Sequence, residues 1–292
     1  MTAMVRPGGD GMHPSLSDCA DRLPGMRFGI SLPIFGSLAD VRLLADLAAD
    51  AESAGWDAFF IWDHLRWPSV DDIIDPWIAM TAIALNTERI LTGPMVTPMP
   101  RRRPQKLARE TVTLDRLSGG RFIFGVGAGG DHSTEYENFG EATDPRVRAA
   151  MLDESLEVIT GLWSGQPFSF EGAHYTVHDS QFLPTPLQQP RIPIWVAGQW
   201  PRKKPVARAA RWDGYVPIKA DMTLTTPDEV AEMARQLDVA NRPGFDLAIF
   251  NGPEPGSTFA GTGATWCLDG PADDGPFDVK EIRGWIKDGP RR

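Results

Sequence analysis

The chain is poor in cysteine, has no long apolar run and carries no excess of basic residues. Its only two cysteines, Cys19 and Cys267, lie far apart, so the sequence predicts neither a disulfide framework nor a thiolate metal site. A reducing cytoplasm is therefore the expected compartment. No segment approaches the ~20 consecutive apolar residues that span a bilayer. The formal net charge of -10 offers no general attraction to nucleic acid or anionic lipid, so neither is an expected partner.

The first 25 residues lack the features of a folded segment or of a targeting signal. They are rich in Gly, Pro and Asp and contain no apolar signal-peptide core. We expect residues 1–25 to form a disordered leader and residues 26–292 to form one domain. Met26 is a candidate start of the functional chain, as is Met1.

Short β-like runs alternate with amphipathic helical runs from residue 27 onward, about eight times. This alternation predicts a parallel sheet wrapped by helices. Eight units in one domain favour an α/β fold of the (β/α)8 TIM barrel type over an open, doubly wound sheet. The predicted strands are Phe28 to Leu32, Ala58 to Trp62, Ile90 to Thr97, Phe122 to Gly127, Ile194 to Ala197, Gly214 to Ile218, Phe245 to Phe250 and Ala264 to Leu268.

Two segments depart from the repeat. Residues 165–192 follow the helix of the fourth unit and carry aromatics, a glycine and many prolines, which predicts an insertion of the kind that often shapes a substrate pocket. Residues 251–263 are turn-forming where the seventh helix should be. We therefore expect the seventh βα unit to be shortened.

An acid and a histidine, Asp63 and His64, follow the apolar run of the second predicted strand. The carboxyl ends of parallel strands carry the chemistry of α/β barrels, and histidine titrates near neutrality, so the pair is a candidate proton-handling device. A polar turn followed by a helix cap is the alternative interpretation.

Glycines from Gly125 to Gly130 follow the fourth predicted strand. No helix begins directly after them, so the dinucleotide fingerprint is not met. Bare backbone at a strand end either lets a flat ring or a phosphate approach closely or forms a plain tight turn. His132 and Glu135, a little further on, lack a third ligand at a sensible spacing, so no metal is predicted.

Three arginines, Arg101, Arg102 and Arg103, precede Pro104 at the start of a predicted helix. Cations at this end oppose the helix dipole, at ~0.3–1 kcal/mol each when exposed. Either an anionic ligand offsets this cost, or the arginines form a solvated charge run that pairs with acids such as Asp131 or Glu135.

From Arg27 to Arg292 the chain resembles the bacterial-luciferase-like flavin-dependent oxidoreductases. Each motif is short, and the match lies in their common order along the chain. They are Phe28-Gly29-Ile30-Ser31-Leu32-Pro33, Asp63-His64, Asp75-Pro76-Trp77, Ala82 to Arg89, Arg109-Glu110-Thr111, Leu117-Ser118-Gly119-Gly120-Arg121-Phe122, Gly125-Val126-Gly127-Ala128-Gly129, Leu162-Trp163, Pro193-Ile194-Trp195-Val196-Ala197-Gly198 and Ala209-Ala210-Arg211-Trp212-Asp213-Gly214.

The resemblance implies a barrel that holds reduced flavin mononucleotide (FMN) or the deazaflavin coenzyme F420 at the carboxyl ends of its strands. It implies that Asp63 contacts the isoalloxazine ring and that His64 acts as general acid or base. A bulge with a non-prolyl cis peptide is expected behind the ring, within Pro94, Met95 and Val96. The residues implied to flank the cofactor's tail are Ala128, Gly129, Ser133, Ala197, Gly198 and Gln199.

The chain also departs from the family's patterns. Deazaflavin sugar-phosphate dehydrogenases of the family carry an acid where this chain has Gly130. Luciferases and some FMN-dependent members place a phosphate-binding arginine near Ala128, and this chain has none there, which leans towards the deazaflavin. Arg101 to Arg103 or Lys203-Lys204 are the alternative partners for an anionic tail.

We therefore predict an oxidoreductase that acts on a small organic substrate by hydride transfer or oxygen activation. The candidate assembly is a homodimer. A flavin-binding relative that does not catalyse a reaction is one alternative. A barrel hydrolase or lyase without a cofactor is another.

Overall fold

Parallel strands form a nearly closed barrel in the computed structural model, which describes residues 25–68, 70–130, 134–271 and 275–292. Within those residues, nine strands are hydrogen-bonded in the order β3-β2-β1-β11-β10-β9-β8-β5-β4. Their bounds are β1 Arg27–Leu32, β2 Ala58–Ile61, β3 Leu91–Pro94, β4 Thr97–Pro98, β5 Phe124–Gly127, β8 Ile194–Trp200, β9 Gly214–Lys219, β10 Asp246–Phe250 and β11 Trp266–Asp269. The predicted α/β barrel is confirmed.

The third predicted strand is divided into β3 and β4, which are successive parts of one barrel strand. β3 pairs with β2, β4 pairs with β5, and Thr92 also forms a parallel bridge with Phe122. The Met95–Val96 peptide between the two parts is cis, at the place that the resemblance implied. A Cβ on Gly125 would lie 2.1 Å from the carbonyl oxygen of Pro94, so only glycine lets β5 approach the divided strand this closely.

Seven α-helices of the described residues follow the strands along the chain. They are α1 Val41–Ser53, α2 Pro76–Asn86, α3 Pro104–Leu117, α4 Pro145–Trp163, α5 Lys203–Ala209, α6 Pro227–Gln236 and α7 Val279–Asp288. Four of them begin with proline, whose fixed φ suits the first helical position and whose missing N–H costs no helical hydrogen bond there. Asp75 caps α2 by accepting hydrogen bonds from the N–H groups of Trp77 and Ile78.

The core has two layers because strand side chains alternate between the barrel interior and the helices. Phe60, Trp195 and Trp266 are fully buried inside the barrel, with ring centroids 5.3 to 6.4 Å apart. A larger apolar cluster fills the space between strands and helices. The filled interior closes the amino-terminal side of the barrel and leaves its carboxyl-terminal end for a site.

The predicted insertion at residues 165–192 contains an antiparallel hairpin of two strands, β6 Phe168–Glu171 and β7 Thr176–Ser180. The Glu154 carboxylate of α4 accepts hydrogen bonds from the backbone N–H groups of Ala173, His174 and Tyr175, and this contact fixes the hairpin's turn to the barrel.

The seventh unit contains only a 3₁₀ turn, Gly256–Phe259, between β10 and β11, so the predicted shortening is confirmed. The carboxyl-terminal segment covers this position instead. Arg291 forms an ion pair with buried Asp269 at the end of β11 and donates to the carbonyl oxygens of Gly252 and Pro253.

Several strand boundaries were wrong. The fifth predicted strand continues past Ala197 to Trp200, the fourth begins at Phe124 rather than Phe122, and the eighth begins at Trp266 rather than Ala264. Other strand ends differ from the prediction by one residue. The predicted leader, apart from Gly25, lies outside the described residues, as does Cys19. Among the residues that are described, no helix combines the length and apolarity needed to cross a membrane.

Candidate active site

Partly exposed apolar side chains form a floor at the carboxyl-terminal end of the barrel. Val96, Ala197, Ile218 and Phe250 all pack on the inner core without being fully buried. Ile218 and Phe250 lie at the carboxyl ends of β9 and β10, Val96 lies between β3 and β4, and Ala197 lies in the middle of β8. We call these four residues the apolar floor. Asp63 and His64 follow β2 at the same end of the barrel. A planar, mostly apolar group would bury this surface.

The Asp63 side chain is fully buried and its carboxylate is bound by the protein. Oδ2 accepts a 2.9 Å hydrogen bond from the Thr97 hydroxyl, and Oδ1 accepts one of 2.9 Å from Arg102 Nη2. Arg101 Nη2 lies 3.3 Å from Oδ1 and donates to the Asp63 carbonyl oxygen at 2.7 Å. Asp63 therefore ties the end of β2 to the segment that leads into α3. Its predicted contact with a cofactor ring stays a prediction.

His64 contacts an acid that lies 71 positions later. Its Nδ1 is 3.0 Å from Glu135 Oε2, and its side chain is 17% exposed while that of Glu135 is 2% exposed. The imidazole also packs edge-on against Trp67, with ring centroids 4.6 Å apart, and Trp67 stacks on Phe35. The imidazole also lies edge-on to Trp62, with ring centroids 6.1 Å apart, so the Glu135 carboxylate and two tryptophans hold the ring, which still reaches solvent.

Glu135 is ionised at neutral pH despite its burial. Burial by itself would raise the pKa of this carboxyl, but the hydrogen bond and charge of His64, the charge of Arg101 and the N–H of Leu65 outweigh it and lower the pKa to about 2. Arg101 Nη1 lies 3.4 Å from Glu135 Oε1. An ionised carboxylate only accepts hydrogen bonds, so His64 Nδ1 carries the proton of this contact.

We expect Glu135 to stabilise the fold above its ordinary pKa. The contribution of an acid with a lowered pKa is fully present above the unfolded value of about 4.5 and is lost as pH falls towards about 2. One pKa unit corresponds to about 1.4 kcal/mol, and allowing for solvent screening we expect a contribution of about 2 kcal/mol. Urea unfolding of the wild type and of Glu135→Gln at pH 7 and pH 3 measures it.

The stability difference between these two proteins should shrink to less than half between the two pH values. Glu137→Gln, a change at a nearby exposed acid, should show no such pH dependence. An equal loss for Glu135→Gln at both pH values would contradict the ionic role.

The glycine segment after β5 forms a tight turn supported by Tyr136. Gly129 has φ +70°, and a Cβ on it would lie 2.1 Å from the Tyr136 hydroxyl oxygen, which in turn donates to the Ala128 carbonyl at 3.1 Å. The structure shows the tight turn and its local cause, and the approach of a ring or phosphate to this backbone stays a prediction.

The other predicted site residues lie at the same end. Met95 is buried in the inner core and Val96 belongs to the floor, with Pro94 ending β3 just before them. Ala197, Gly198 and Gln199 lie in the second half of β8, where the Gly198 carbonyl accepts a 3.0 Å hydrogen bond from the Tyr215 hydroxyl. Ser133 and His132 lie outside the described residues.

Sequence reasoning did not identify Glu135 as the partner of His64. It named this residue only as a rejected metal ligand and as a partner for the arginines. The second suggestion is confirmed for Arg101, although that side chain is 2% exposed rather than solvated. The only available signal was an acid in a polar loop after the fourth strand.

Comparison with known proteins places the chain in a family. The family model of luciferase-like monooxygenases matches residues 26–251. The chain belongs to the luciferase-like monooxygenase family. Among curated relatives of this luciferase-like chain, an F420-dependent glucose-6-phosphate dehydrogenase of Kineococcus radiotolerans is 35% identical over 181 residues, which cover 59% of this chain and 51% of the relative. The chain thus spans about half the length of that relative.

Solved structures share the barrel of the luciferase-like chain. The F420-dependent tetrahydromethanopterin reductase of Methanopyrus kandleri matches with a TM-score of 0.70 and 18% identity, covering 90% of this chain and 98% of its own. The monooxygenase RslO1 of Streptomyces bottropensis matches with a TM-score of 0.73 and 18% identity, covering 90% and 97%. At these identities the likeness shows the fold.

Proposed function

We propose that this protein is an oxidoreductase that uses reduced FMN or F420 at the carboxyl-terminal end of its barrel and acts on a small organic substrate. The observation that carries the proposal is that the His64–Glu135 pair follows β2 at the same end of the barrel as the apolar floor. The floor offers area to a flat ring, and the pair offers a proton at that end. The names of the family's relatives, F420-dependent dehydrogenases and reductases among them, support the same chemistry.

The residues present fit a flavin or deazaflavin. Val96 and Ala197 provide apolar contact for a ring, and we propose that Pro94 and Met95 lie behind it. The residues proposed to flank the tail are Ala128, Gly129, Ser133, Gly198 and Gln199. When bound, the cofactor supplies hydride transfer or oxygen activation, which no side chain of the chain provides.

His64 is the proposed proton-transfer group. Because Glu135 accepts from Nδ1, the ring is fixed in orientation, and Nε2 is the atom that would exchange a proton with substrate or cofactor. Glu135 is a positioning residue, since it acts through His64. Arg101 links this pair to Asp63, so a shift of one side chain would displace the others.

Asp63 remains a proposed ring neighbour, but its carboxylate has two arginines and a threonine as partners. We propose that its main contribution is to hold the rim of the site in place. The missing arginine near Ala128 and the F420-dependent relatives favour the deazaflavin over FMN.

Titration of the purified protein with reduced FMN and with reduced F420, followed by fluorescence, tests the proposal. We expect micromolar affinity for F420, because the apolar floor offers contact to its ring. We expect weaker binding of FMN, because the chain has no arginine near Ala128 to bind its phosphate. Asp71→Asn, a change at an exposed loop residue, serves as the matched control and should bind like the wild type. Binding of neither cofactor would contradict the proposal and favour a cofactor-free hydrolase or lyase.

A further inference from the structure

A basic cavity adjoins the candidate site at the start of α3. It has a volume of about 220 Å³ and is lined by Arg101, Arg102, Arg103, Lys106, Leu107 and Glu110. We call it the arginine cavity. Arg101 and Arg102 both bind Asp63, which precedes His64, so the cavity and the candidate site share two walls.

The positive charge of the arginine cavity is only partly neutralised. Arg101 pairs with Asp63 and Glu135, Arg102 pairs with Asp63, and Lys106 pairs with Glu110. Arg103 forms no ion pair with any residue in the described part of the chain. Four cations therefore face three acids, and one full positive charge is left at the cavity.

Hydrogen-bond donors of the arginine cavity are also unused. The Nε–H groups of Arg101 and Arg102 are buried, and neither has a hydrogen-bond partner among the described residues. The Arg101 side chain is 98% buried, and a buried donor without a partner is costly, so an acceptor that bound next to it would be stabilised. The α3 helix adds its positive end, with no acid in its first turn and no side-chain cap from Arg103.

We infer that the arginine cavity is an anion-binding site that takes the phosphate or carboxylate group of a small molecule. Guanidinium groups bind both anions with paired, charge-assisted hydrogen bonds. The cavity is several times larger than the ~30 Å³ that a water molecule takes in the liquid. An anion would also offset the cost of placing three arginines at a helix amino terminus.

Two sources share this chemistry. The anion is either carried by a separate small molecule, such as a substrate with a phosphate or carboxylate, or it is part of the anionic tail of the proposed cofactor. Inorganic phosphate is the probe for the site itself, because it needs no cofactor.

Calorimetric titration with inorganic phosphate at low ionic strength tests the site. Arg103 and Lys106 are exposed and do not contact Asp63, so Arg103→Gln/Lys106→Gln should leave the fold and Asp63 unchanged. We expect the double variant to bind phosphate about tenfold more weakly, a change of about 1.4 kcal/mol. Glu110→Gln should bind it more tightly, because a wall acid is removed. Added salt should weaken binding to the wild type.

Lys280→Gln/Lys287→Gln is the matched control, since it removes two exposed cations on α7. It should bind phosphate like the wild type. Equal phosphate affinity in the wild type and in Arg103→Gln/Lys106→Gln, or no saturable binding by the wild type, would overturn the inference.

A second comparison identifies the source of the anion and rests on the proposed function. F420 and its deazaflavin ring system without the anionic tail are titrated into the wild type and into Arg103→Gln/Lys106→Gln. If the tail occupies the cavity, the variant weakens only the binding of F420. If a separate anion occupies the cavity, both ligands bind the variant with the same affinity as they bind the wild type. Failure of both to bind the wild type would count against the proposed cofactor and leave the phosphate result unchanged.

Discussion

Replacing Asp63 with asparagine is expected to destabilise the fold by about 3 kcal/mol, because removing one partner of a buried ion pair leaves the other charge uncompensated. Asp63 is fully buried and accepts from Arg102 and Thr97, while Arg101 is 2% exposed. Asparagine keeps the shape and one acceptor but removes the charge. Urea unfolding at pH 7 measures the loss as a change in midpoint.

Asp71→Asn, which makes the same chemical change at an exposed residue, should change the free energy of unfolding by less than ~0.5 kcal/mol. In the double variant Asp63→Asn/Arg102→Gln, the charge left behind by the first substitution is partly removed. Its loss should therefore be smaller than the sum of the two single losses. Additive losses, or a wild-type midpoint for Asp63→Asn, would show that the buried pair does not hold the rim.

Strand and helix order could be predicted because each unit repeats one pattern, an apolar run followed by an amphipathic run. The proline at the start of α3 and the turn residues of the seventh unit are local signals, and both were interpreted correctly. The division of the third strand was expected only from the family resemblance. The close approach of Gly125 to the Pro94 carbonyl at this division joins residues from two strands and cannot be inferred from either alone.

The candidate site was less predictable, because its contacts join distant parts of the chain. The position of Asp63 after an apolar run indicated a strand end, but its arginine partners lie 38 and 39 positions later and come to it only when the barrel closes. Arg101 and Arg102 were considered with an anionic ligand or with acids of the loop after β5. The structure shows that the buried acids Asp63 and Glu135 pair with these two arginines, whereas the charge of Arg103 remains at the arginine cavity.

Removing the imidazole of His64 is expected to have the largest effect on activity. His64→Ala should lower kcat by roughly 10² to 10⁴-fold, the range of a general acid or base, while the affinity for the cofactor changes little. The imidazole is only one wall of the site, and the apolar floor that would hold a ring is untouched by the substitution. Steady-state kinetics at saturating cofactor, together with the fluorescence titration of the variant, measure both quantities.

His174→Ala is the matched control for this substitution, because it removes an exposed histidine on the inserted hairpin. It should leave kcat unchanged. An unchanged kcat for His64→Ala would exclude proton transfer by this residue.

A parallel loss of cofactor affinity in His64→Ala would instead indicate a role in binding.

Glu135→Gln separates the positioning of the imidazole from its proton transfer. A neutral amide no longer requires the proton on Nδ1, so kcat should fall by less than in His64→Ala and its pH profile should change shape. If Glu135 acts only through the imidazole, adding Glu135→Gln to His64→Ala should cost no further activity.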